Sequence, residues 1–250
     1  MRPDPFAWSW HPEALLATAL LAGAYAVALR RHPASRARVA CFGAGVVLLV
    51  AISVTPLDAL SYHLLSAHLL QNVVLAEWAP LLLVAGVPPA LAARLGRLPA
   101  VRTLTHPLVA LPLWVGTYLL WHLPPAYDTA LEHAALLHLE HASYLLAGSL
   151  LWWPVVHDEP WRVPWSARAG YLFGAFVLSS PIGLLLALLP EPVYDWYAGG
   201  FSRWDLSALA DQQIAGVTMA TEEAIVFFAA FAYAFFRFLA EEERREGAPA

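Results

Sequence analysis

The sequence predicts an all-α, polytopic membrane protein with seven transmembrane helices, an N-terminus outside and a C-terminus in the cytoplasm. The first observation behind this prediction is composition: the 250 residues are 60% hydrophobic and 13% charged, with a mean hydropathy of +0.57. Such a chain is more apolar than a soluble core of its size requires. The second observation is the spacing of the apolar segments, and the third is the distribution of the arginines.

Seven segments come near the roughly 20 apolar residues that a helix needs to cross a bilayer. The loops between them are short and marked by proline, and no stretch is long or polar enough for a separate domain. We therefore expect residues 1–250 to form one seven-helix transmembrane domain. The segments are residues 14–29, 39–54, 62–87, 107–121, 134–156, 171–189 and 209–239.

The arginines orient these segments, because the chain contains no lysine and all 14 basic residues are arginine. Twelve follow the odd-numbered segments and two lie on the other side. By the positive-inside rule, the odd-numbered segments end in the cytoplasm. The twelve are Arg30, Arg31, Arg36, Arg38, Arg94, Arg97, Arg102, Arg162, Arg168, Arg237, Arg244 and Arg245, and the two are Arg2 and Arg203.

The first two segments carry no targeting or disulfide signal. The first follows Trp8 and Trp10, which suit an interfacial belt, and it lacks a basic stretch and a small-residue cleavage pattern. We expect it to be retained rather than cleaved as a signal peptide. The single cysteine, Cys41, leaves no disulfide framework and predicts a packing role. With a net charge of -5, nucleic acid is not an expected partner.

The third segment combines polar residues with a proline. His68 and Asn72 are four residues apart and share a helix face, with Gln71 beside them, whereas Glu77 lies on nearly the opposite face. Pro80 lacks an amide proton, so we expect a kink next to Glu77. One site is therefore not expected to use His68, Asn72 and Glu77 together.

Seven of the ten histidines fall at the predicted outer ends of these segments. Imidazoles gathered on one side of a membrane indicate metal or proton chemistry. An isolated histidine in a membrane helix also commonly satisfies a buried hydrogen bond, and that alternative stays open for each of them. The seven are His11, His63, His68, His122, His133, His138 and His141.

The fifth segment supplies the densest group of these histidines. His138 and His141 are three residues apart, about 60° around a helix, so both rings can face one neighbouring helix and share an ion. His133 and Glu140 form a second stripe, from which Glu140 can hold an imidazole in its metal-binding tautomer.

The fourth and seventh segments add further candidate ligands. His122 ends the fourth in the run WHLPP, where an interfacial anchor with Trp121 is the alternative. Met219, in the seventh, is the one usable thioether. Imidazole, carboxylate and one thioether suit copper or zinc, without the sulfur cluster usual for tight Cu(I) transfer. The predicted metal ligands are His68, His122, His138 and His141.

Buried carboxyls mark a second candidate site. Asp211 and Gln212 lie at the outer mouth of the seventh segment, and Glu222 lies roughly 16 Å deeper, level with Glu77. Ionised acids at that depth are costly. We expect Glu77 and Glu222, or Glu223, to face each other and share a proton or cation, or to form a protonated pair with structural hydrogen bonds only.

The longest outer connection, residues 190–210, mixes aromatic and acidic residues with a Gly-Gly pair. It predicts a lid or a partner-binding surface lying along the interface, and an ordinary aromatic belt is the alternative.

Three runs of the sequence resemble the CtaG-type cytochrome c oxidase assembly factors, seven-span bacterial membrane proteins associated with caa-type oxidases. They are residues 68–88 (HLLQNVVLAEWAPLLLVAGVP), residues 121–154 (WHLPPAYDTALEHAALLHLEHASYLLAGSLLWWP) and residues 211–219 (DQQIAGVTM). The resemblance extends from about residue 62 to residue 239.

The resemblance implies a bacterial inner-membrane protein that helps mature a haem-copper oxidase, with an oxidase subunit and membrane lipid as partners. It implies that copper reaches the catalytic subunit from the outer side. Two departures are visible: Asn72 stands where the family pattern has a second histidine, and residues 220–224, ATEEA, replace a Trp-Val-Pro-Gly type run. Carried over by position, the characteristic polar residues are His68, Gln71, His122, Asp128, His138, His141, Asp211 and Gln212.

Two alternatives use the same residues. A haem-binding redox protein would ligate iron through His68 and either His138 or His141. A proton- or solute-coupled carrier would use Glu77 and Glu222 at the membrane midplane. No nucleophile-base pair and no phosphate-binding glycine loop stands out, so the protein is not expected to be an enzyme.

Overall fold

The computed structural model describes residues 3–246, apart from the side chain of Ser202, and every regular element in that range is a helix. A π-helical turn (Val74–Trp78) separates α4 from α5, and two short 3₁₀ turns lie between α11 and α12. The α-helices are α1 (Pro12–Leu29), α2 (Arg36–Val54), α3 (Pro56–Ser61), α4 (Leu65–Val73), α5 (Ala79–Gly86), α6 (Pro89–Leu95), α7 (Pro99–Leu104), α8 (Pro107–Trp121), α9 (Pro124–Glu132), α10 (Ala134–Val156), α11 (Trp165–Leu188) and α12 (Ala208–Glu246).

Five helical stretches are long and apolar enough to cross a membrane: α1, α2, the α4–α5 stretch, α11 and α12. Helix α8 is apolar but has only 15 residues. Helix α10 has 23 residues, but its polar residues His138, Glu140 and His141 make it less apolar. The structure thus confirms an all-α chain and supplies five candidate spans.

The α4–α5 stretch is the central helix of the bundle. Of its most apolar window 72% is buried, against 6% for α1, which lies at the periphery. The irregularity expected near Pro80 takes the form of the π turn. Pro80 has no N–H group to donate to the Ala76 carbonyl, and this carbonyl accepts a hydrogen bond from the Trp114 indole at 3.3 Å. Gly148 of α10 also packs against the Ala76 carbonyl, at a place where a side chain would not fit.

Arginines bind free helix carbonyls at one end of the bundle. Arg38, in the first turn of α2, donates to the carbonyls of Ala85 and Val87 at the end of α5 (2.8 and 2.9 Å). Arg168, in the first turn of α11, donates to the Val155 carbonyl in the last turn of α10 (2.9 Å). Because the last four carbonyls of a helix have no partner within it, these contacts stabilise helix ends. Arg2 lies outside the described residues.

The opposite end carries the seven histidines named above and the longest connection. Helix α4 begins without a side-chain cap of its own. Asp211, from the start of α12, accepts hydrogen bonds from the amides of Leu65 and Ser66 instead. Asp128 in α9 accepts hydrogen bonds from the amides of residues 195 and 196. The connection between α11 and α12 is therefore folded over this end of the bundle.

Candidate functional site

Three imidazoles at this end have buried ring nitrogens with no hydrogen-bond partner among the described residues. They belong to His68 on α4, His122 after α8 and His141 on α10, and in each case the unpartnered atom is Nε2. A buried polar atom without a partner costs about 1–3 kcal/mol, so these three lone pairs are available to a ligand or to ordered water.

The tautomer of His68 follows from its hydrogen bonds. The Tyr197 hydroxyl donates its proton to the Ser61 carbonyl and lies 3.2 Å from His68 Nδ1. Nδ1 is therefore the donor in the second contact, since a hydroxyl has one proton. A neutral His68 then carries a lone pair on Nε2, which is the form that binds metal.

Glu140 lies directly against this lone pair. Its Oε1 atom is 3.6 Å from His68 Nε2 and accepts a hydrogen bond from Asn72 Nδ2 at 2.9 Å. Two acceptors so close together in a buried site repel unless a positive charge lies between or beside them. A bound cation, or a proton shared by the two groups, removes that repulsion.

His141 faces the same region from α10. Its ring centroid lies 6.2 Å from that of His68. Nitrogen-to-metal bonds of about 2.0 Å give a comparable separation between two imidazoles that share one ion. Among residues 3–246, no group of three or more His, Cys, Asp or Glu side chains has metal-binding geometry. The arrangement is therefore a pair of imidazoles with Glu140 beside it.

His122 is close to this pair but separated from it. Its Nδ1 atom lies 2.8 Å from the Tyr118 carbonyl, so Nδ1 carries the proton and Nε2 the lone pair. Burial lowers the pKa of His122 to about 4, which keeps the ring neutral at physiological pH. The Tyr127 ring lies near both His68 and His122, with centroid distances of 5.0 and 6.3 Å.

His138, the fourth predicted ligand, lies apart from the other three imidazoles. Its side chain is about half exposed and points to Glu13 of α1, with 3.5 Å between His138 Nε2 and Glu13 Oε1. Although His138 and His141 are close in sequence, they face different neighbours, because the peripheral α1 packs beside one and the central α4 beside the other.

His138 instead lies on a cavity of about 370 Å³ between α1, α2, α3, α4 and α10. Glu13 also lies 3.4 Å from His11 Nδ1, and His11 Nε2 lies 2.9 Å from Asp58. His141 lines the inner part of the same cavity. Alternating acids and imidazoles thus run from the exposed His138 to the buried Asp58.

The other predicted polar residues are structural at this end. Gln71 donates to the Ile52 carbonyl at 2.8 Å, and Gln212 accepts from the Val193 amide at 2.7 Å. Met219 is buried in the apolar core. His133 precedes α10 as its exposed N-cap residue, whereas Glu140, with which it was predicted to form a stripe, is buried.

The predicted carboxyl pair is a group of three. Glu77, in the π turn, contacts Glu222 and lies near Glu223, and all three side chains are buried. The Trp78 indole donates to Glu222, and the Tyr118 hydroxyl donates to Glu223 at 2.5 Å.

Sequence reasoning missed several partners of these residues. Tyr127 and Tyr197 flank the imidazoles, and the Tyr194 hydroxyl donates to the His122 carbonyl at 3.1 Å. The sequence pattern singles out His11 only as one of seven histidines, and it does not single out Asp58. No local pattern distinguishes these residues, since each contact joins elements that are far apart in sequence.

Comparison with known proteins agrees with the resemblance of the motifs. Relatives described as uncharacterized proteins occur in Mycobacterium bovis and Mycobacterium tuberculosis. Each is 28% identical over an alignment of 240 positions, and the alignment covers 83% of this chain and 36% of the relative. One from Mycobacterium leprae is 27% identical over 198 residues, covering 69% of this chain and 29% of the relative. The chain thus spans about a third of the length of these curated relatives. No solved structure matches it significantly.

A family model described as cytochrome c oxidase caa3 assembly factor matches residues 21–241. The family consists of assembly factors rather than catalytic enzymes. Since the match covers most of the sequence, this chain belongs to the Caa3_CtaG family of cytochrome c oxidase caa3 assembly factors.

Proposed function

We propose that the protein assists assembly of a caa3-type cytochrome c oxidase by holding copper transiently on its way to the catalytic subunit. Family membership supports the oxidase as partner. The copper step is supported by one observation above the others: His68 and His141 approach each other from two helices, each with a buried, unpartnered Nε2 atom, and Glu140 lies beside them.

The chemistry of these side chains suits the proposed cargo. Imidazole is a good copper ligand, and the Glu140 carboxylate offsets the positive charge of a bound ion. A site with only two strong ligands holds its ion loosely, as a protein must when it passes the ion on. His122 offers a further lone pair a short distance away and is the next ligand along the proposed route.

Copper binding to the purified protein tests this proposal. We expect about one copper per wild-type chain after loading with Cu(I) under reducing conditions, and near-background copper in the His68→Ala/His141→Ala double variant. His133→Ala is the matched control, since His133 lies on the same end of the bundle but is exposed and outside the pair. Bound copper is measured at equilibrium by competition with a Cu(I) indicator, so that a loosely held ion is not lost.

The outcome is decisive in either direction. Equal copper in the double variant and the control would contradict the assignment of His68 and His141. A Soret band in the visible spectrum of the purified protein, in place of copper, would favour the haem alternative for the same imidazoles. In cells, His141→Ala is expected to lower active oxidase without lowering the amount of assembly factor in the membrane.

For the topology we propose seven spans in the bacterial inner membrane, formed by α1, α2, the α4–α5 stretch, α8, α10, α11 and α12, with the N-terminus outside. The twelve arginines grouped at one end of the bundle support this orientation, because arginine is retained on the cytoplasmic side. The imidazole pair would then lie near the outer surface.

Cysteine labelling tests the orientation. In a Cys41→Ser background, a membrane-impermeant maleimide applied to intact cells is expected to label Thr129→Cys in α9 and not Ala100→Cys in α7. Both positions are exposed, so after permeabilisation both should react. Labelling of Ala100→Cys in intact cells would reverse the proposed orientation.

A further inference from the structure

Three carboxyls meet inside the bundle, away from the imidazoles. Glu77 projects from the π turn of the central helix, and Glu222 and Glu223 are neighbours on α12. The exposed fractions of the three residues are 0%, 8% and 0%. Measured along α12, Glu222 lies roughly 16 Å from Asp211 at the histidine end, so bulk water is distant from the group.

Most of the oxygen atoms in this group lack a hydrogen-bond donor. Glu222 accepts from the Trp78 indole, and Glu223 accepts from the Tyr118 hydroxyl on α8. Both oxygens of Glu77 and the second oxygen of Glu222 and of Glu223 have no donor among the described residues. The described part of the chain also forms no ion pair with any of the three.

Three ionised carboxylates in such a place would repel one another without compensation. Burial and like charge both disfavour the ionised form, and one of two adjacent carboxyls then keeps its proton. A neutral carboxylic acid also becomes a donor through its O–H group. Protonation therefore removes the repulsion and supplies the donor that the unpartnered oxygens lack.

We propose that Glu77, Glu222 and Glu223 form a proton-binding site inside the bundle, in which Glu77 is a neutral acid whose O–H group donates a hydrogen bond to Glu222. The Trp78 indole binds the accepting carboxyl from the other side, and the Ser179 hydroxyl of α11 contacts Glu223. Tyr118 is the other titratable group facing the site. The hydrogen bond from Glu77 to Glu222 links the central helix to α12, so loss of the proton would weaken the contact between these two helices.

A bound metal ion is the competing occupant. The three side chains do not have the geometry of a metal site in the described structure. The carboxyl oxygens would also have to supply most of its ligands, since the neighbouring groups Trp78 and Tyr118 are donors. A proton accounts for the contacts without further ligands. Infrared spectroscopy distinguishes a bound proton from a bound metal ion.

Infrared spectroscopy of the reconstituted wild-type protein tests the proposal. Ordinary glutamates ionise near pH 4.3, so a protonated carboxyl band at pH 7 that shifts in D₂O identifies a neutral acid. We expect this band in the wild type, its loss or marked decrease in Glu77→Gln, and no change in Glu132→Gln, whose carboxyl is exposed. The amide of Glu77→Gln keeps a donor group at the same place and should preserve the fold.

Three results would overturn the proposal. One is the absence of a protonated carboxyl band in the wild type at pH 7, which needs no variant. Another is an unchanged band in folded Glu77→Gln. The last is a band that disappears when Mg²⁺ or Zn²⁺ is added at constant pH, which would identify a metal site. Because the site lies apart from His68 and His141, copper binding is expected to be the same in Glu77→Gln and wild type.

Discussion

Replacing Gly148 with alanine is expected to lower the free energy of unfolding by about 3 kcal/mol, at the upper end of the usual cost of overpacking. A Cβ atom at this position would lie 2.1 Å from the Ala76 carbonyl oxygen and 2.7 Å from Pro80 Cγ. The nearest atom belongs to backbone, so no side-chain rotation can relieve the clash. Helix α10 would have to move away from the central helix and lose its packing against Ala76 and Pro80.

Gly116→Ala in α8 is the matched control for this prediction. A Cβ at residue 116 meets no atom within 4 Å. Alanine is favoured over glycine in a helix by roughly 1 kcal/mol, so this variant is expected to be as stable as the wild type or slightly more stable. Unfolding in mixed micelles, followed by circular dichroism, measures both. Equal stability of the two variants would show that α10 does not approach the central helix this closely.

Close packing at Gly148 illustrates which parts of the fold the sequence could predict. Because Pro80 lacks an amide proton, the sequence predicts a kink next to Glu77. A π turn occurs there. The partner of the released Ala76 carbonyl could not be predicted, because Trp114 and Gly148 come from helices that are distant in sequence. Hydropathy predicts the long helices because the length of an apolar segment is a local property of the sequence. The neighbours of a helix are not a local property, so hydropathy does not predict them.

The candidate site shows the same division. The spacing of His68 and Asn72 predicts a shared face, and both contact Glu140. The spacing of His138 and His141 allows a shared face too, but the neighbours of α10 decide otherwise. Helix α1 approaches His138, and the central helix approaches His141. Helical periodicity gives the direction of a side chain, and only the packing of other helices decides what it meets.

The position of Asn72 has a physical reading of its own. The family resemblance places a histidine there, and a metal site copied from the family would lose a ligand. In this chain Asn72 donates to Glu140 and thereby orients the carboxylate that lies against His68.

Asp211→Ala is expected to lower the free energy of unfolding by about 3 kcal/mol, since hydrogen bonds to a charged group contribute roughly 1.5–3 kcal/mol each and are not additive. The carboxylate accepts from the Leu65 amide at 2.6 Å and from the Ser66 hydroxyl at 2.5 Å. Leu64, at the N-cap of α4, offers no side-chain acceptor. Removing Asp211 therefore leaves the first amides of the central helix buried and unpaired.

Two further variants, Asp211→Asn and Asp205→Asn, serve as an intermediate and a control for the loss of stability in Asp211→Ala. The first keeps an acceptor oxygen but loses the charge, so it is expected to lie between Asp211→Ala and wild type. The second removes a charge from an exposed position at the same end and is expected to change stability by less than about 0.5 kcal/mol. Thermal unfolding in detergent orders the three variants. Equal stability of Asp211→Ala and Asp205→Asn would contradict the capping role.

The cap also bears on the proposed copper site, because His68 follows Leu65 by one helical turn. If Asp211 fixes the start of α4, loosening it lets the His68 ring move relative to His141 on α10. The Asp211→Ala variant is then expected to bind copper more weakly than the Asp211→Asn variant, although the side chain at position 211 does not touch the ion. A buried acid on the last helix would in this way position an imidazole on the central one, which explains how a residue with no ligand role can matter to the site.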